Sequence, residues 1–459
     1  MDLLITDAVV VTADAGRRVL DRAAVALRGD CILAVGESAE LEHAYPDLPR
    51  FSGRGKAVLP GLINSHTHAV LTVLRGTVED MEGDIVYGYM TPVSFVMSPE
   101  ERAVMATLGC LEAIRCGTTT LVEPFRHLVT YGDAMVRTGL RLYFGENCAD
   151  AVTLRVRHGE YRYDRAFGQE FLDRTVAMIE RFHGRENGRV QCQIAAHATD
   201  NCSPWMLERL LELAKKYGLR RTIHLAQGPG EVAQVRKAWN ATPAEYLRDH
   251  DWLGPDLVAA HWTYCTESDI DLLADHGVHM AHCPANSSRR GPHRVRVDRI
   301  QDRGINIAFG TDNMTEDMFH AMKIGLIVHR GSYGLGVRPT PQDMLDAVTR
   351  NGALALDRLD SLGTVEPGKK ADLTIIDLNQ PALRPTTNLV SNIVHYGHPG
   401  IVDSVIADGE FLMRERKILT IDEASVLREA QAVTECVWSR MLAQNPDLAA
   451  PASLRWLRE

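Results

Sequence analysis

The sequence predicts an α/β protein built on a (β/α)8 barrel, with a smaller β-rich domain formed by both ends of the chain. Short apolar runs alternate with helical patterns through the middle of the chain, as is typical of βαβ units. About eight such strands over roughly 250 residues are what a (β/α)8 barrel requires. A doubly wound sheet would also alternate, but no Gly-x-Gly-x-x-Gly follows the first predicted strand.

Both ends of the chain show the same pattern of short strands interrupted by turns. Residues 3–12 and 23–28 are strand-like and are interrupted by turn residues such as Gly29-Asp30. Similar strands return near the C-terminus, at 371–378 and 402–411. We expect residues 1–57 and 362–420 to form one composite domain; two independent β segments are the alternative.

Residues 58–361 are predicted to form the barrel, and residues 421–459 a helical tail that packs on the barrel or on a neighbouring subunit. The predicted barrel strands are 58–63, 118–122, 141–144, 190–196, 221–224, 257–260, 278–282 and 307–310. Helical patterns between them include 99–116, 170–182, 204–217, 266–275 and 300–303.

Composition limits the partners. The 459 residues exceed the size of a single core, and the net charge of −10 argues against a nucleic-acid backbone or an anionic membrane as partner. Nine scattered cysteines without Cys-x-x-Cys favour reduced thiols, and therefore the cytoplasm. The N-terminus lacks the basic residues of a signal peptide, and no apolar run is long enough to span a bilayer. We expect a small-molecule substrate.

The pair His66 and His68 follows an apolar run that ends in Pro60-Gly61-Leu62-Ile63-Asn64-Ser65. If this run is a strand, its period of two directs both imidazoles to one face, where they can share a metal ion. Alone, such a pair is more often composed of ordinary hydrogen-bonded histidines. The rest of the chain has to supply further ligands.

Ligand-type residues do recur at the ends of the predicted strands. The C-terminal ends of barrel strands meet at one open face, where function is expected. The residues at or just beyond these ends are His66, His68, Glu123, His197, His224, His261, His282 and Asp312. This concentration predicts a metal site.

Several motifs, in this order, resemble the amidohydrolase superfamily, and within it the branch of triazine hydrolases and cytosine-, guanine- and adenosine-type deaminases. They are Pro60 to His68, Leu74-Arg75-Gly76, Gly117-Thr118-Thr119-Thr120, His224-Leu225-Ala226, His282-Cys283-Pro284, Gly310-Thr311-Asp312-Asn313 and Gly368 to Leu373. The resemblance implies a distorted barrel beside a composite β-sandwich, one divalent metal, and hydrolysis at a carbon that bears nitrogen or another leaving group. It also implies a homodimer or larger homo-oligomer.

By the same resemblance, His66, His68, His224 and Asp312 match the metal ligands. Three imidazoles and a carboxylate suit zinc, with iron, cobalt and manganese as alternatives. Such an ion would lower the pKa of a bound water and supply a hydroxide nucleophile. His261 matches the histidine that helps to deprotonate the water and polarise the substrate, and Asp312 could accept the water proton.

Three further residues are candidates for substrate binding. His197 matches a histidine that contacts substrate in relatives, although a purely structural hydrogen bond is an alternative. Glu123 stands where relatives have an aspartate and could instead support the site from behind. Phe95 could line the pocket or pack a helix onto the barrel. His282 could orient its loop, and Asn286 could reach the pocket mouth.

Gln227 departs from the family pattern. Deaminases of this branch carry a glutamate three residues after the fifth-strand histidine, and it protonates a ring nitrogen; glutamine can donate a hydrogen bond but not a proton. Gln227 could still orient an aminated N-heterocycle, with His261 or water as the proton source. Alternatively the substrate is a urea, carbamate or amide, or the barrel is a non-catalytic binding protein. Residues 90–98 also lack the carboxylate that binds ribose in relatives, which argues against adenosine-like substrates.

Overall fold

The computed structural model describes residues 1–289, 294–333 and 338–454. Its strands are β1 Leu3–Val11, β2 Val19–Arg28, β3 Cys31–Glu37, β4 Arg50–Ser52, β5 Lys56–Pro60, β6 Leu62–Asn64, β7 Thr67–His68, β8 Thr118–Phe125, β9 Arg141–Cys148, β10 Val190–Cys192, β11 Ile194–Ala198, β12 Arg221–Leu225, β13 Leu257–His261, β14 His279–His282, β15 Ile307–Phe309, β16 Asp312–Asn313, β17 Leu373–Asp377, β18 Val402–Ala407, β19 Glu410–Arg414 and β20 Lys417–Ile418. Its helices are α1 Ser38–Ala44, α2 Thr91–Val96, α3 Pro99–Arg115, α4 Leu128–Val136, α5 Thr153–Val156, α6 Arg165–Phe182, α7 Pro204–Tyr217, α8 Pro229–Trp239, α9 Pro243–Asp249, α10 Glu267–Asp275, α11 Pro284–Ser288, α12 Val297–Asp302, α13 Met318–Tyr333, α14 Pro341–Ala347, α15 Arg350–Ala355, α16 Leu389–Tyr396 and α17 Glu423–Gln444.

The barrel consists of parallel strands in the order β6-β8-β9-β11-β12-β13-β14-β15. Each lies within or beside one of the eight predicted runs, and helices on the outside separate most of them. The side chains of these strands are buried almost throughout, which explains why they appear in the sequence as continuous apolar runs. The predicted distorted (β/α)8 barrel is confirmed.

The predicted first barrel strand, 58–63, is wrong in its extent. Its first half belongs to β5, which pairs with β1 and β17 in the other sheet, and the barrel begins only at β6. The chain passes between the sheets at Gly61, where a Cβ would lie 2.1 Å from the Thr119 hydroxyl. An uninterrupted apolar run does not reveal which of two sheets each half joins.

The second large sheet contains strands from both ends of the chain, in the order β20-β19-β18-β17-β5-β1-β2-β3, with β4 beside β1. Its two halves meet where β5 pairs antiparallel with β17. They form one composite unit, so the alternative of two independent β segments is wrong. A buried ion pair between Arg141 Nε and Asp372 Oδ2, 2.8 Å apart, attaches this sheet to the barrel.

A two-stranded parallel sheet, β7 with β16, helps to close the barrel between its first and last strands. The Ser65 N–H donates to the Phe309 carbonyl at 2.9 Å, and the Asp312 N–H donates to the His66 carbonyl at 3.0 Å. At Gly310 a Cβ would lie 2.5 Å from the His66 oxygen, so only glycine permits this approach. The closure brings the first and last strand ends together.

The C-terminal helix α17 packs on the barrel of the same chain. The Trp438 indole donates to the Val73 carbonyl at 3.2 Å, and Arg440 forms an ion pair with Glu101 at 2.8 Å. Residues 455–459 of the predicted tail lie outside the described residues. Within the described part of the chain, no helix is both long and apolar enough to cross a membrane.

Candidate active site

Five predicted residues meet at the C-terminal ends of the barrel strands. His68 Nε2 lies 3.2 Å from His224 Nε2 and 3.5 Å from Asp312 Oδ1. His66 Nε2 is 3.9 Å from Asp312 Oδ1, and His261 Nε2 is 4.0 Å from Asp312 Oδ2. All five side chains are buried. Residues separated by up to 246 positions in the sequence therefore form a single cluster.

The cluster fits a divalent metal ion. Ligand atoms of His66, His68 and His224, and of His66, His261 and Asp312, lie within 4.8 Å of one another. Both ring nitrogens of His66 and the Nε2 of His261 are buried without a hydrogen-bond partner in the described structure. Burial lowers the pKa of His224 to about 4, so its imidazole is neutral and able to ligate. Burial raises the pKa of Asp312 to about 7, and a cation here would favour its charged form.

Backbone and side-chain contacts orient these groups. The His224 Nδ1–H donates to the His197 carbonyl at 2.6 Å, which leaves the Nε2 lone pair directed at the cluster. Asn286 donates to Asp312 Oδ2 and so belongs to the site, as the sequence suggested. His261 and Asp312 have positive φ angles of 81° and 67°, conformations that cost energy in non-glycine residues and often occur at functional sites.

Glu316 supports the segment that carries His66 and His68. Sequence analysis did not select this residue. Its buried carboxylate accepts from Asn64 Nδ2 at 2.8 Å and from the Thr67 hydroxyl at 2.6 Å. Asn64 precedes the histidine pair and Thr67 lies between its two members, so Glu316 anchors the segment that presents both imidazoles. No strand ends at Glu316, and therefore the strand-end criterion could not find it.

Hydrogen bonds hold the His197 side chain in a defined tautomer. The Ala198 N–H donates to Asn201 Oδ1 at 3.1 Å, which fixes the orientation of that amide. Asn201 Nδ2 therefore donates to His197 Nδ1 and, at 3.0 Å, to the Tyr87 hydroxyl, which in turn donates to Asp200 Oδ2 at 2.9 Å. With Nδ1 acting as an acceptor, the hydrogen resides on His197 Nε2.

Two cavities that share wall residues adjoin the cluster. The inner one, of about 20 Å³, is bordered by His68, His224, Asp312 and Arg126. The outer one, of about 570 Å³, has a volume typical of a small-molecule site. Residues shared by both are Val86, Met90, His197, Gln227 and Asn313. The outer cavity carries three carboxyl groups, those of Asp84, Asp200 and Glu231.

Gln227 thus borders both cavities, and Glu231 holds it in place. The Gln227 N–H donates to Glu231 Oε2 at 2.8 Å, and the Ala226 N–H donates to Oε1 at 3.1 Å. The Thr199 hydroxyl adds a third bond to this carboxylate at 2.6 Å. Burial raises the pKa of Glu231 to about 7. Sequence analysis missed Glu231, which lies in a helix and not at a strand end.

The structure places Glu123 and Phe95 away from both cavities. Glu123 accepts from the Ala69 N–H at 2.8 Å and from the Tyr131 hydroxyl at 3.2 Å, so its contacts lie behind His68. The Phe95 ring packs beneath the Arg126 guanidinium, whose Cζ is 5.4 Å from the ring centre. Neither side chain borders the inner or the outer cavity, although both were candidates for substrate contact.

His282 contacts His329, another buried histidine. Their Nε2 atoms are 3.0 Å apart, and neither side chain is solvent-exposed. This contact agrees with the suggestion that His282 orients its loop.

A parallel barrel with buried histidines and a carboxylate at its C-terminal face is the architecture of a metal-dependent hydrolase. The model of the Amidohydrolase family matches residues 57–412, and that of the imidazolonepropionase-like composite domain of bacteria matches residues 23–47. The chain belongs to the amidohydrolase family and is a hydrolase of carbon–nitrogen bonds. The predicted superfamily is confirmed.

The chain is also similar to the following proteins over nearly its full length. It is 29% identical to the 5-methylthioadenosine/S-adenosylhomocysteine deaminase of Pelotomaculum thermopropionicum, covering 94% of this chain and 97% of that protein. The structure of a zinc-bound adenosine deaminase from Xanthomonas campestris has a TM-score of 0.85 at 25% identity, covering 95% and 99%. The zinc complex of atrazine chlorohydrolase from Arthrobacter aurescens TC1 has a TM-score of 0.85 at 22% identity, covering 94% and 100%.

Proposed function

We propose that this protein is a metal-dependent deaminase of small aminated N-heterocycles, with His66, His68, His224 and Asp312 as the ligands of a zinc ion. The observation that carries the proposal is the convergence of these four side chains beside a cavity of about 570 Å³. Relatives named as deaminases of adenosine-type compounds support the reaction. Zinc-bound neighbours support the metal, with iron, cobalt and manganese as alternatives.

When bound, the ion supplies Lewis acidity that acidifies a coordinated water. His261 and Asp312, with Nε2 and Oδ2 4.0 Å apart, lie where they can take up and relay a proton between the nucleophile and the leaving amine. His197 donates its Nε2–H to an acceptor on the substrate. The Gln227 amide orients the ring from the adjoining wall.

Hydrolysis of a urea, carbamate or amide is the second candidate, and Gln227 is the observation that favours it. A carbonyl substrate needs no protonated ring nitrogen, because its developing oxyanion is stabilised by hydrogen-bond donors and the ion. Glu231 is poorly placed to act as the general acid in place of the family's glutamate, because its carboxylate already accepts three hydrogen bonds. A non-catalytic role is disfavoured by the complete set of ligand-type residues.

The structure weakens the sequence-based argument against nucleosides as substrates. That argument rested on residues 90–98, which contain no carboxylate. Carboxyl groups from other segments, those of Asp84, Asp200 and Glu231, border the outer cavity instead. Nucleosides therefore belong among the substrates to test.

The test is release of ammonia or amine by the zinc-loaded protein from two panels. One contains adenosine, 5-methylthioadenosine, S-adenosylhomocysteine, cytosine and an aminotriazine; the other contains ureas, carbamates and amides. Deamination of at least one heterocycle supports the proposal. Turnover of carbonyl substrates alone would replace it with the second candidate. A protein that binds no first-row metal and turns over neither panel would favour the non-catalytic alternative.

We further propose that the protein acts in the cytoplasm as a homodimer or larger homo-oligomer. All nine cysteines are free thiols, and six of them are buried, which suits a reducing compartment. Exposed apolar side chains, including Ile327 at 57% and Tyr396 at 61%, are available for subunit contacts. Sedimentation analysis tests the oligomeric state, and a monomer would contradict it.

A further inference from the structure

Arg126 is a buried cation that has no acidic partner in the described part of the chain. The residue is 3% exposed, and its one described hydrogen bond joins Nη1 to the Ser94 hydroxyl at 3.3 Å. Its Nε and Nη2 atoms are buried without a hydrogen-bond partner in the described structure. No carboxylate among the described residues lies within 4.0 Å of its guanidinium. Arg126 follows β8 and was not among the residues that sequence analysis selected.

This arrangement is energetically unusual. A buried charge is costly unless it is paired, and two of the other three buried arginines among the described residues, Arg141 and Arg221, do bind carboxylates. Arg141, exposed to 1%, binds both Asp372 and Asp408 at 2.8 Å. Burial lowers the pKa of Arg126 to about 10, so the side chain remains charged at neutral pH. The N–H donors on its Nε and Nη2 are therefore available to an acceptor from outside the chain.

The guanidinium is close to the proposed reaction centre. Arg126 borders the inner cavity together with His68, His224 and Asn147. The Asn147 Oδ1 is likewise buried without a partner. The positive charge of Arg126 also helps to lower the pKa of His68 and His224, after the larger effect of burial. Two polar side chains that border a small cavity therefore have hydrogen-bonding capacity that no described residue uses.

We propose that Arg126 binds a carboxylate carried by the substrate, so that the preferred substrate is an aminated heterocycle bearing a carboxylate next to the reacting ring position. This inference rests on the proposed deaminase function and specifies its substrate class. The planar guanidinium fork matches a carboxylate, and its bonds to one are roughly twice as strong as bonds to a neutral acceptor. The inner cavity that Arg126 borders is small, about 20 Å³, so only a small group of the substrate can enter it.

The experiment compares two probes that differ in charge but hardly in shape, pyrimidine-5-carboxylate and pyrimidine-5-carboxamide. Neither carries an amino group on the ring, so binding is measured by calorimetry on the zinc-loaded protein without turnover. We expect the carboxylate to bind about 10- to 100-fold more tightly, the range of a charge-assisted hydrogen-bond pair. Equal affinities would overturn the proposal.

Three variants assign any preference to Arg126. In Arg126→Met the preference should disappear, while affinity for the carboxamide changes less than about threefold; Arg126→Lys should retain part of it. Arg102→Met is the matched control, because Arg102 is also buried and its Nη2 donates to the Ser94 carbonyl at 2.9 Å, but it does not border either cavity. A preference that survives in Arg126→Met would show that the carboxylate binds the metal, and would refute the proposal.

Stability gives a second readout that is independent of any ligand. Arg126→Met removes an unpaired buried charge, so its Tm without ligand should be equal to or a few degrees above that of the unaltered protein. A Tm that falls by more than about 5 °C would show that Arg126 is a structural residue. Failure of the deaminase proposal would instead appear as absent ammonia release in every variant, with the carboxylate preference intact.

Discussion

Replacing Gln227 with glutamate tests the feature that separates this chain from deaminases of the same branch. The variant Gln227→Glu restores a carboxyl group where both cavities meet. If the substrate is an aminated N-heterocycle, the new acid can protonate a ring nitrogen as the nucleophile adds. We therefore expect the variant to deaminate such substrates faster.

The size of the gain depends on the pKa of the new carboxyl group. The backbone of residue 227 is already bonded to Glu231 Oε2 at 2.8 Å, so the two carboxyl groups would lie roughly 6 Å apart. At an effective dielectric constant of about 20, their repulsion is about 3 kcal/mol, or about 2 pKa units. Since the pKa of Glu231 alone is about 7, the pair keeps one shared proton at pH 7, and residue 227 carries it for part of the time. General acids contribute ~10²–10⁴-fold, and since only part of this one is protonated at pH 7 we expect about 10- to 100-fold in kcat.

The assay follows ammonia release between pH 5.5 and 8 in zinc-loaded protein. The gain should grow as the pH falls towards 6, because the protonated form is the active one. Gln227→Met, which keeps the size but removes the amide, is the control and should lose about tenfold in kcat/KM. Lower turnover in Gln227→Glu, with unchanged metal content and Tm, would refute the reasoning and show that the amide performs a task that an acid cannot.

Three further outcomes are expected. His197→Gln keeps a donor near the position of Nε2, so it should retain at least tenfold more kcat/KM than His197→Asn. Both variants should bind equal amounts of zinc, because residue 197 contacts His224 through its backbone carbonyl. Glu231→Gln offers one acceptor atom to two backbone donors, so one N–H loses its partner, and kcat/KM should fall about tenfold without loss of metal; unchanged kinetics would contradict the positioning role. Removal of metal by a chelator should abolish turnover and lower the Tm by about 5 °C, and zinc should restore both; a Tm unaffected by chelation would count against the ligand set.

The sequence alone determined the elements of the fold and the residues of the metal cluster. Fully buried parallel strands are apolar, so apolar runs in the sequence predicted the strands. The functional face of such a barrel lies at the C-terminal ends of its strands, so the residues that follow these runs predicted the site. His66, His68, His224, His261 and Asp312 were found in this way, and the structure brings them together. Two strands were wrong in extent: the structure divides the run 190–196 into β10 and β11, and it divides the first run between two sheets, which an apolar pattern cannot distinguish.

Only the tertiary structure decided which side chains support the site and which border the cavity. Glu316 and Glu231 act through hydrogen bonds to segments that are distant in sequence or lie in a different element, and no local pattern marks them. Glu123 and Phe95 matched a pattern but lie behind the cavity walls. Arg126 became conspicuous only through the partners it lacks among the described residues. A strand-end pattern identifies groups that face a site, whereas burial and hydrogen-bond pairing are properties of the assembled chain.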